Sequence, residues 1–439
     1  MRKGVATIFA VVLLGAVALQ ASAAPEASTI YDPNPNHLWN WLNETLFQRT
    51  APDGKKYGLN ELDILYWYRT TNLLAGASHQ QALSGLDEFI RTHGEKLIHD
   101  PLKKALLQRD LWALFDWSVE MGKFSFTPEC RELQKRLATV IRRLELMTNE
   151  IASLPDNYTL AEKNNLPELP HGLFQTNSDW INVGVNGAEL TVPAHVLGFG
   201  GRSIFTVWFH DADGRAAGLD YLRRLGAVTP KFVTTTNQDH QAELQLNPSL
   251  PQFPANSEWA LARCLCVVDA DGRIRPTHFV ESLQVRHYLT IAPPATVLIT
   301  NQNGFVVPAS VPPQHFNEFR MSRDSQAILV SIPQDGRAFT SNNHFFSMGF
   351  DPFESSWAGQ TNRNSLTYQT RVLKTCVECH DSPGIYSVNS FTRFLSGGSS
   401  FQVTQMVEFD PYREASATTI WKEGRFEWGL LQGLWSQAD

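Results

Sequence analysis

One change of rhythm along this chain restricts its fold more than any single residue does. From about His37 to Leu154, apolar side chains recur three and four apart, the spacing that gathers them on one face of a helix. Beyond about residue 175, short β-branched and aromatic runs alternate with polar residues or are closed by Asp-Gly turns, as strands do. Helices first and strands afterwards predict a segregated α+β protein rather than an alternating α/β one. The expected division is a helical domain over 30–154, a Pro- and Asn-rich linker over 155–175, a β-rich domain over 176–360, and a smaller region over 361–439 that ends in a helix. At 439 residues the chain is long enough for two or three such units.

Particular stretches sharpen this. Leu38, Trp41, Leu42, Thr45 and Leu46 mark a first helix. Asn60 caps a predicted second through Leu62, Leu65, Tyr66, Arg69 and Leu73, with Gly76 just beyond its end. Leu83 to Ile90 predict a third, Leu97 to Met121 a fourth, and Leu133 to Met147 a basic, solvated fifth. The run Leu106–Trp117 sets Arg109, Asp110 and Asp116 among aromatics, where the expectation is that the charges pair with one another on or near a helical core. Asp269-Ala270-Asp271-Gly272, between Trp259–Val268 and Ile274–Leu289, is the clearest hairpin. Neither this turn nor its twin at 211–214 supplies the later oxygen ligands of an EF-hand. In the tail, Ile420, Trp421, Gly424, Trp428, Leu431 and Trp435 share one side of a single predicted helix that packs on the protein's own core.

Composition bounds the partners. A formal net charge of -7 and a pI near 6.0 argue against a nucleic-acid partner. Residues 1–23 read as an export signal: Arg2 and Lys3, an apolar stretch from Val5 to about Leu19, and Ala21-Ser22-Ala23 for cleavage. That apolar stretch is shorter than the ~20 residues of a spanning helix. No later stretch is long and apolar enough to span, so the mature chain is expected to be exported, periplasmic in a bacterium, without a transmembrane segment. Cys130, Cys264 and Cys266 do not form a disulfide framework and read as small buried hydrophobes.

The remaining two cysteines carry the chemistry. Thr375-Cys376-Val377-Glu378-Cys379-His380-Asp381 places two thiols two residues apart with an imidazole directly after them. Each thiol can add its S–H across one vinyl group on the same porphyrin edge, and the adjacent histidine is then carried under the ring toward iron. The rival readings are a disulfide, a thioredoxin-like redox pair and a zinc site. The pair lacks a βαβ context around Cys376, and zinc lacks a second Cys/His pair with suitable spacing. In these residues the chain resembles a single-haem c-type cytochrome. The resemblance implies one covalent haem c held by Cys376 and Cys379, with His380 as proximal ligand, and attachment after export. It makes 361–439 the haem-binding region.

The sixth iron ligand decides what such a haem does. The resemblance implies a methionine further downstream, and Met406 alone fits that description; His344 and Met348 are upstream alternatives. A saturated iron implies one-electron transfer with a redox partner protein. An open site implies a peroxidase-like enzyme or a gas-binding protein, and a third reading is a non-catalytic scaffold. No catalytic residue is named, because no nucleophile–base triad, phosphate-binding glycine loop or His-Glu-x-x-His pattern is present.

Overall fold

The computed structural model describes residues 29–50, 56–57, 67–68, 70–122, 127–185, 190–230, 232–236, 242–289, 298–300, 306–308, 314–323, 328–332, 349–350, 384–386, 392–394, 401–403, 406–408 and 410–435. The protein is α+β, as its periodicity predicts. Six helices come first: α1 (Leu38–Phe47), α2 (Gly76–Thr92), α3 (Pro101–Gly122), α4 (Pro128–Arg143), α5 (Thr148–Ala152) and α6 (Asn157–Lys163). Two more, α7 (Pro193–Gly198) and α8 (Arg215–Ala227), lie among the strands, and α9 (Pro411–Glu423) and α10 (Phe426–Trp435) close the chain.

The principal sheet has seven antiparallel strands: β1 (Ile181–Val185), β2 (Ser203–His210), β3 (Ser257–Val268), β4 (Ile274–Tyr288), β5 (Gln314–Met321), β6 (Leu329–Ser331) and β7 (Met406–Glu408). Their spatial order is β6-β5-β4-β3-β2-β1-β7. The predicted hairpin is its spine. Asp269 Oδ1 accepts from the backbone N–H of Asp271 at 3.0 Å and of Arg273 at 2.8 Å. Gly272 takes the positive φ of 71° that closes the turn without Cβ strain.

One irregularity in that hairpin matters later. Arg263 faces Ser282 and Cys264 faces Val280, so Glu281 is the extra residue of a β-bulge. Asn157, at the start of α6, stitches the irregular stretch: its amide donates to the Val280 carbonyl at 2.8 Å and accepts from the Val280 N–H at 2.9 Å. The segment 155–175, expected as a linker, thus carries a helix and sends Tyr158, Leu169 and Leu173 into a core against the sheet.

The helical region and the sheet share one apolar cluster. It joins Trp39, Leu86, Phe89, Trp112, Phe115, Leu137 and Ile141 to Ile204, Cys266 and Val268 of the strands and to Trp428, Leu431 and Trp435 of α10. Helix α3 is its axis, buried on nearly every side, and Gln108 ties it to the sheet. The Gln108 side chain accepts from the Val268 N–H at 2.8 Å and donates to the Val268 carbonyl at 2.9 Å, completing a strand end as a neighbouring strand would. Helix α4 begins as its sequence dictates, with Pro128 in the first turn and the Thr127 hydroxyl accepting from the Cys130 N–H at 3.3 Å. It is half-buried rather than fully solvated, since Leu133, Leu137, Val140 and Ile141 all enter the core.

Two expected helices differ. Of the predicted helix over Asn60–Leu73, residues 60–66 and Arg69 lie outside the described residues, while Trp67–Tyr68 is a strand paired with Gly349–Phe350. Gly76 opens α2 instead of ending a helix. A hydrogen-bonding partner far along the chain overrides local periodicity there. The tail is two helices, not one. Gly424 caps α9, its N–H bonding to the Ile420 carbonyl at 3.1 Å, and the turn that follows re-aims the chain. Ile420 is therefore exposed, whereas Trp428, Leu431 and Trp435 are buried. Among the described residues, no helix is long and apolar enough to cross a membrane. Residues 1–28 and the strand expected over Leu366–Val372 lie outside the described residues.

Candidate functional site

The sequence-predicted attachment residues Cys376, Cys379 and His380 lie outside the described residues, as do the alternative ligands His344 and Met348. Met406 is described through its backbone. It begins edge strand β7, at the register position opposite Val185 of β1.

Four residues beyond His380, the described chain resumes as a single helical turn, Gly384–Tyr386. Its docking is specific. The Gln252 side-chain oxygen accepts from the Ile385 N–H at 2.7 Å and from the Phe253 N–H at 2.9 Å. Gly384 has φ of 54°, and a Cβ there would fall 2.2 Å from the same oxygen. Only glycine permits both the backbone conformation and the close approach.

Ile385 then enters an apolar cluster with Phe209, Tyr221, Phe253, Trp259 and Tyr288, and it is 4% exposed. Trp259 is central: its ring centroid lies 4.7 Å from Phe209 and 5.0 Å from Phe253, and Tyr288 meets Phe253 edge-on at 5.2 Å. Such contacts add to simple burial. Arg286 stands directly across from Trp259 in the β3–β4 ladder. It is buried, donates to the Tyr288 hydroxyl at 3.4 Å, and lies 5.4 Å from the centre of the Phe316 ring.

The other described cysteines are chemically quiet. Burial pushes the Cys130 thiol up to about 11 and the Cys264 thiol to about 12, and raises Cys266 further still. A neutral, packed thiol is a poor nucleophile and a poor metal ligand. Among the described residues, no group of three or more His, Cys, Asp or Glu side chains is arranged to hold a metal.

A second polar assembly lies under α3, where Arg109, Asp110 and Asp116 each reach a distant element. Arg109 meets Glu281 at 2.8 Å, Asp110 takes both guanidinium nitrogens of Arg323 at 2.6 and 2.7 Å, and Asp116 takes Arg202 at 2.6 Å. Asp116 also holds Lys422 of α9 at 2.7 Å. The bulge aims Glu281 inward, where it accepts from the Ser203 hydroxyl at 2.5 Å and pairs with Arg263 at 3.0 Å. Burial pulls the Lys422 ammonium below its ordinary range while Asp116 holds it up, and the ammonium sits 5.6 Å over the Trp112 ring. Burial, and then the Asp110 carboxylate, raises the Tyr31 phenol beside the Asp110–Arg323 pair.

These partners stand up to 306 residues apart, so spacing gives no sign of them. The available signal was the run Leu106–Trp117 itself, because charge inside a helix apolar all round must find partners elsewhere. The assembly is closed to solvent: Arg109 and Glu281 are each 1% exposed. Its geometry is that of a lock between α3, the sheet and α9. No protein family, curated protein or solved structure was found to match this chain.

Proposed function

We propose that this chain is an exported c-type cytochrome with one covalently attached haem and that it transfers single electrons to and from a redox partner protein. The observation that carries the reading is Cys376-Val377-Glu378-Cys379-His380 in a chain that opens with an export-signal pattern. Cys376 and Cys379 would hold the porphyrin through thioethers, and His380 would bind iron from the proximal side. Bound haem supplies a one-electron iron couple, whose potential the protein sets through axial ligand, hydrogen bonding and burial.

The surroundings fit this role. The three described cysteines sit in the core with raised thiols and do not compete for the motif pair. The docked turn at Gly384–Tyr386 tethers the segment just past His380 to an aromatic wall, and four peptide units limit the His380–Gly384 separation to about 14 Å. Met406 is the proposed sixth ligand, on a strand hydrogen-bonded into the principal sheet.

The test is covalent haem. Wild-type protein run on a denaturing gel retains haem stain, and the double variant Cys376→Ala, Cys379→Ala loses it. A wild type without stain overturns the proposal. The extent of folded structure beyond the motif supports a second reading, a haem enzyme or gas-binding protein with an open distal site. A ferric spectrum that responds to cyanide or nitric oxide selects that reading, whereas a methionine–iron band selects electron transfer through Met406.

A further inference from the structure

One face of the principal sheet breaks its apolar run at the end where β3 begins. Trp208, Ala260 and Val285 stand opposite one another on β2, β3 and β4, and all three are buried in the core shared with Tyr158 of α6. Two residues further along, the same face carries His210, Glu258, His287 and His315, each directly opposite the next across β2, β3, β4 and β5. Neighbouring positions on these strands turn to the other face: Tyr288 enters the cluster of Phe209 and Trp259, and Arg286 lies over Phe316. Half of the row is accounted for within the protein. Glu258 lies 3.2 Å from Nδ1 of His210, and Trp180 stacks on the His210 ring at 5.1 Å. His287 and His315 then stand as a pair with ring centres 6.5 Å apart, the first half-buried and the second exposed.

Two imidazoles on opposed strand positions are preset for chelation. Directly opposed residues hold their Cβ atoms about 4.5–5.5 Å apart, and the sheet fixes that separation before any ion arrives. Imidazole nitrogens bind a transition metal at about 2.0–2.1 Å, which sets the two ring centres around a shared ion roughly 5–6.4 Å apart. The observed 6.5 Å lies at the edge of that range, so small side-chain rotations bring one nitrogen of each ring to one ion. Imidazole suits zinc, nickel and copper, and copper(II) binds such donors most tightly. Glu258, directly opposite His287 on its other side, adds a negative charge beside the ion. No three side chains of the row converge, which limits the protein's share to two ligands and leaves the other positions to water. Because His315 is exposed, the pair is reached from solvent without an enclosed cavity.

We infer that His287 and His315 form a two-imidazole clamp for a divalent transition-metal ion, copper(II) above all, on the surface of the principal sheet. The clamp is made of sheet side chains alone, so it stands or falls independently of haem attachment at Cys376 and Cys379.

The experiment titrates the chelator-treated full chain with copper(II) chloride and compares wild type with His287→Gln, His315→Gln and Glu258→Gln. Calorimetry reports affinity, and the nitrogen splitting in the copper electron paramagnetic resonance spectrum counts imidazole ligands. Wild type should take up one ion that shows two nitrogens. Each histidine variant should bind it roughly tenfold or more weakly and lose the two-nitrogen pattern. Glu258→Gln should keep both nitrogens and weaken binding by a smaller factor, roughly threefold, because it removes only the nearby charge. His315 is exposed, so His315→Gln decides alone should His287→Gln fail to fold. A wild type that takes up no copper at about 0.1 mM overturns the clamp. Histidine variants that bind copper with wild-type affinity and splitting overturn it equally, since the ion then sits elsewhere.

Discussion

Two buried polar regions sit on the same sheet and are finished in different ways. Under α3, the carboxylates of Asp110, Asp116 and Glu281 each hold at least one cation at ion-pair distance, and the pairs bind elements from opposite ends of the chain. Around Trp259, an aromatic cluster encloses an indole N–H that has no acceptor, next to a buried arginine. The first region ties α3 to the sheet and to α9 through ion pairs between side chains of this chain, which is the mark of a structural lock. The second adjoins the turn Gly384–Tyr386, which follows Cys376-Val377-Glu378-Cys379-His380 in the chain.

The comparison breaks most visibly at Asp116. Asp116→Ala leaves Arg202 and Lys422 facing a buried space without their shared carboxylate, and the expected loss is about 3–5 kcal/mol in urea denaturation. A loss below about 1 kcal/mol would mean that the lock is not one. Acid comes next. Burial, then the charge of Arg263, lowers His195 from its ordinary 6.5 to about 4. The unfolded chain therefore binds a proton there first, and stability falls as pH drops from about 6.5 toward 4, by roughly 1–3 kcal/mol. His195→Gln should flatten that part of a stability–pH curve; an unchanged slope would assign the acid sensitivity elsewhere.

A smaller effect is expected at the anchor of the Gly384–Tyr386 turn. Gly384→Ala drives a Cβ against the Gln252 side-chain oxygen and strains a positive φ, costing about 1–2 kcal/mol locally. Hydrogen exchange should rise at the Ile385 and Phe253 amides while the amides of α3 stay protected, which separates the two regions directly. The smallest change is Trp259→Phe in the Cys376→Ala, Cys379→Ala background, which holds no covalent haem. Losing the orphan donor offsets part of the lost ring area, so the stability change should stay within about 1 kcal/mol. A loss above about 3 kcal/mol would show that the indole N–H was already serving the apo fold.

Much of the architecture was legible because it is written in local pattern. The β3–β4 hairpin follows from Asp269-Ala270-Asp271-Gly272 between strand-like runs, and α4 from Thr127-Pro128 ahead of Leu133, Leu137, Val140 and Ile141. What local pattern could not carry is what distant partners decide. Trp67–Tyr68 became a strand because Gly349–Phe350 offers it hydrogen bonds. The tail divided at Gly424 because Trp428 and Trp435 have a core to enter that Ile420 does not. The bulge at Glu281 and the counter-charges of α3 depend on register and on contacts across the whole chain. Of the candidate site, Cys376, Cys379 and His380 were readable from spacing alone, since thioether chemistry fixes that spacing. The docking of the Gly384–Tyr386 turn by Gln252 was not, because nothing in its own neighbourhood marks it.

The central claim is that this chain carries haem at Cys376 and Cys379, and absorption spectra of the purified, exported protein before and after reduction test it most directly. The expected result is a Soret band with sharpened visible bands on reduction, surviving acid–acetone extraction because the porphyrin is covalently held. Spectra without a Soret band, or a band lost on extraction, would contradict it.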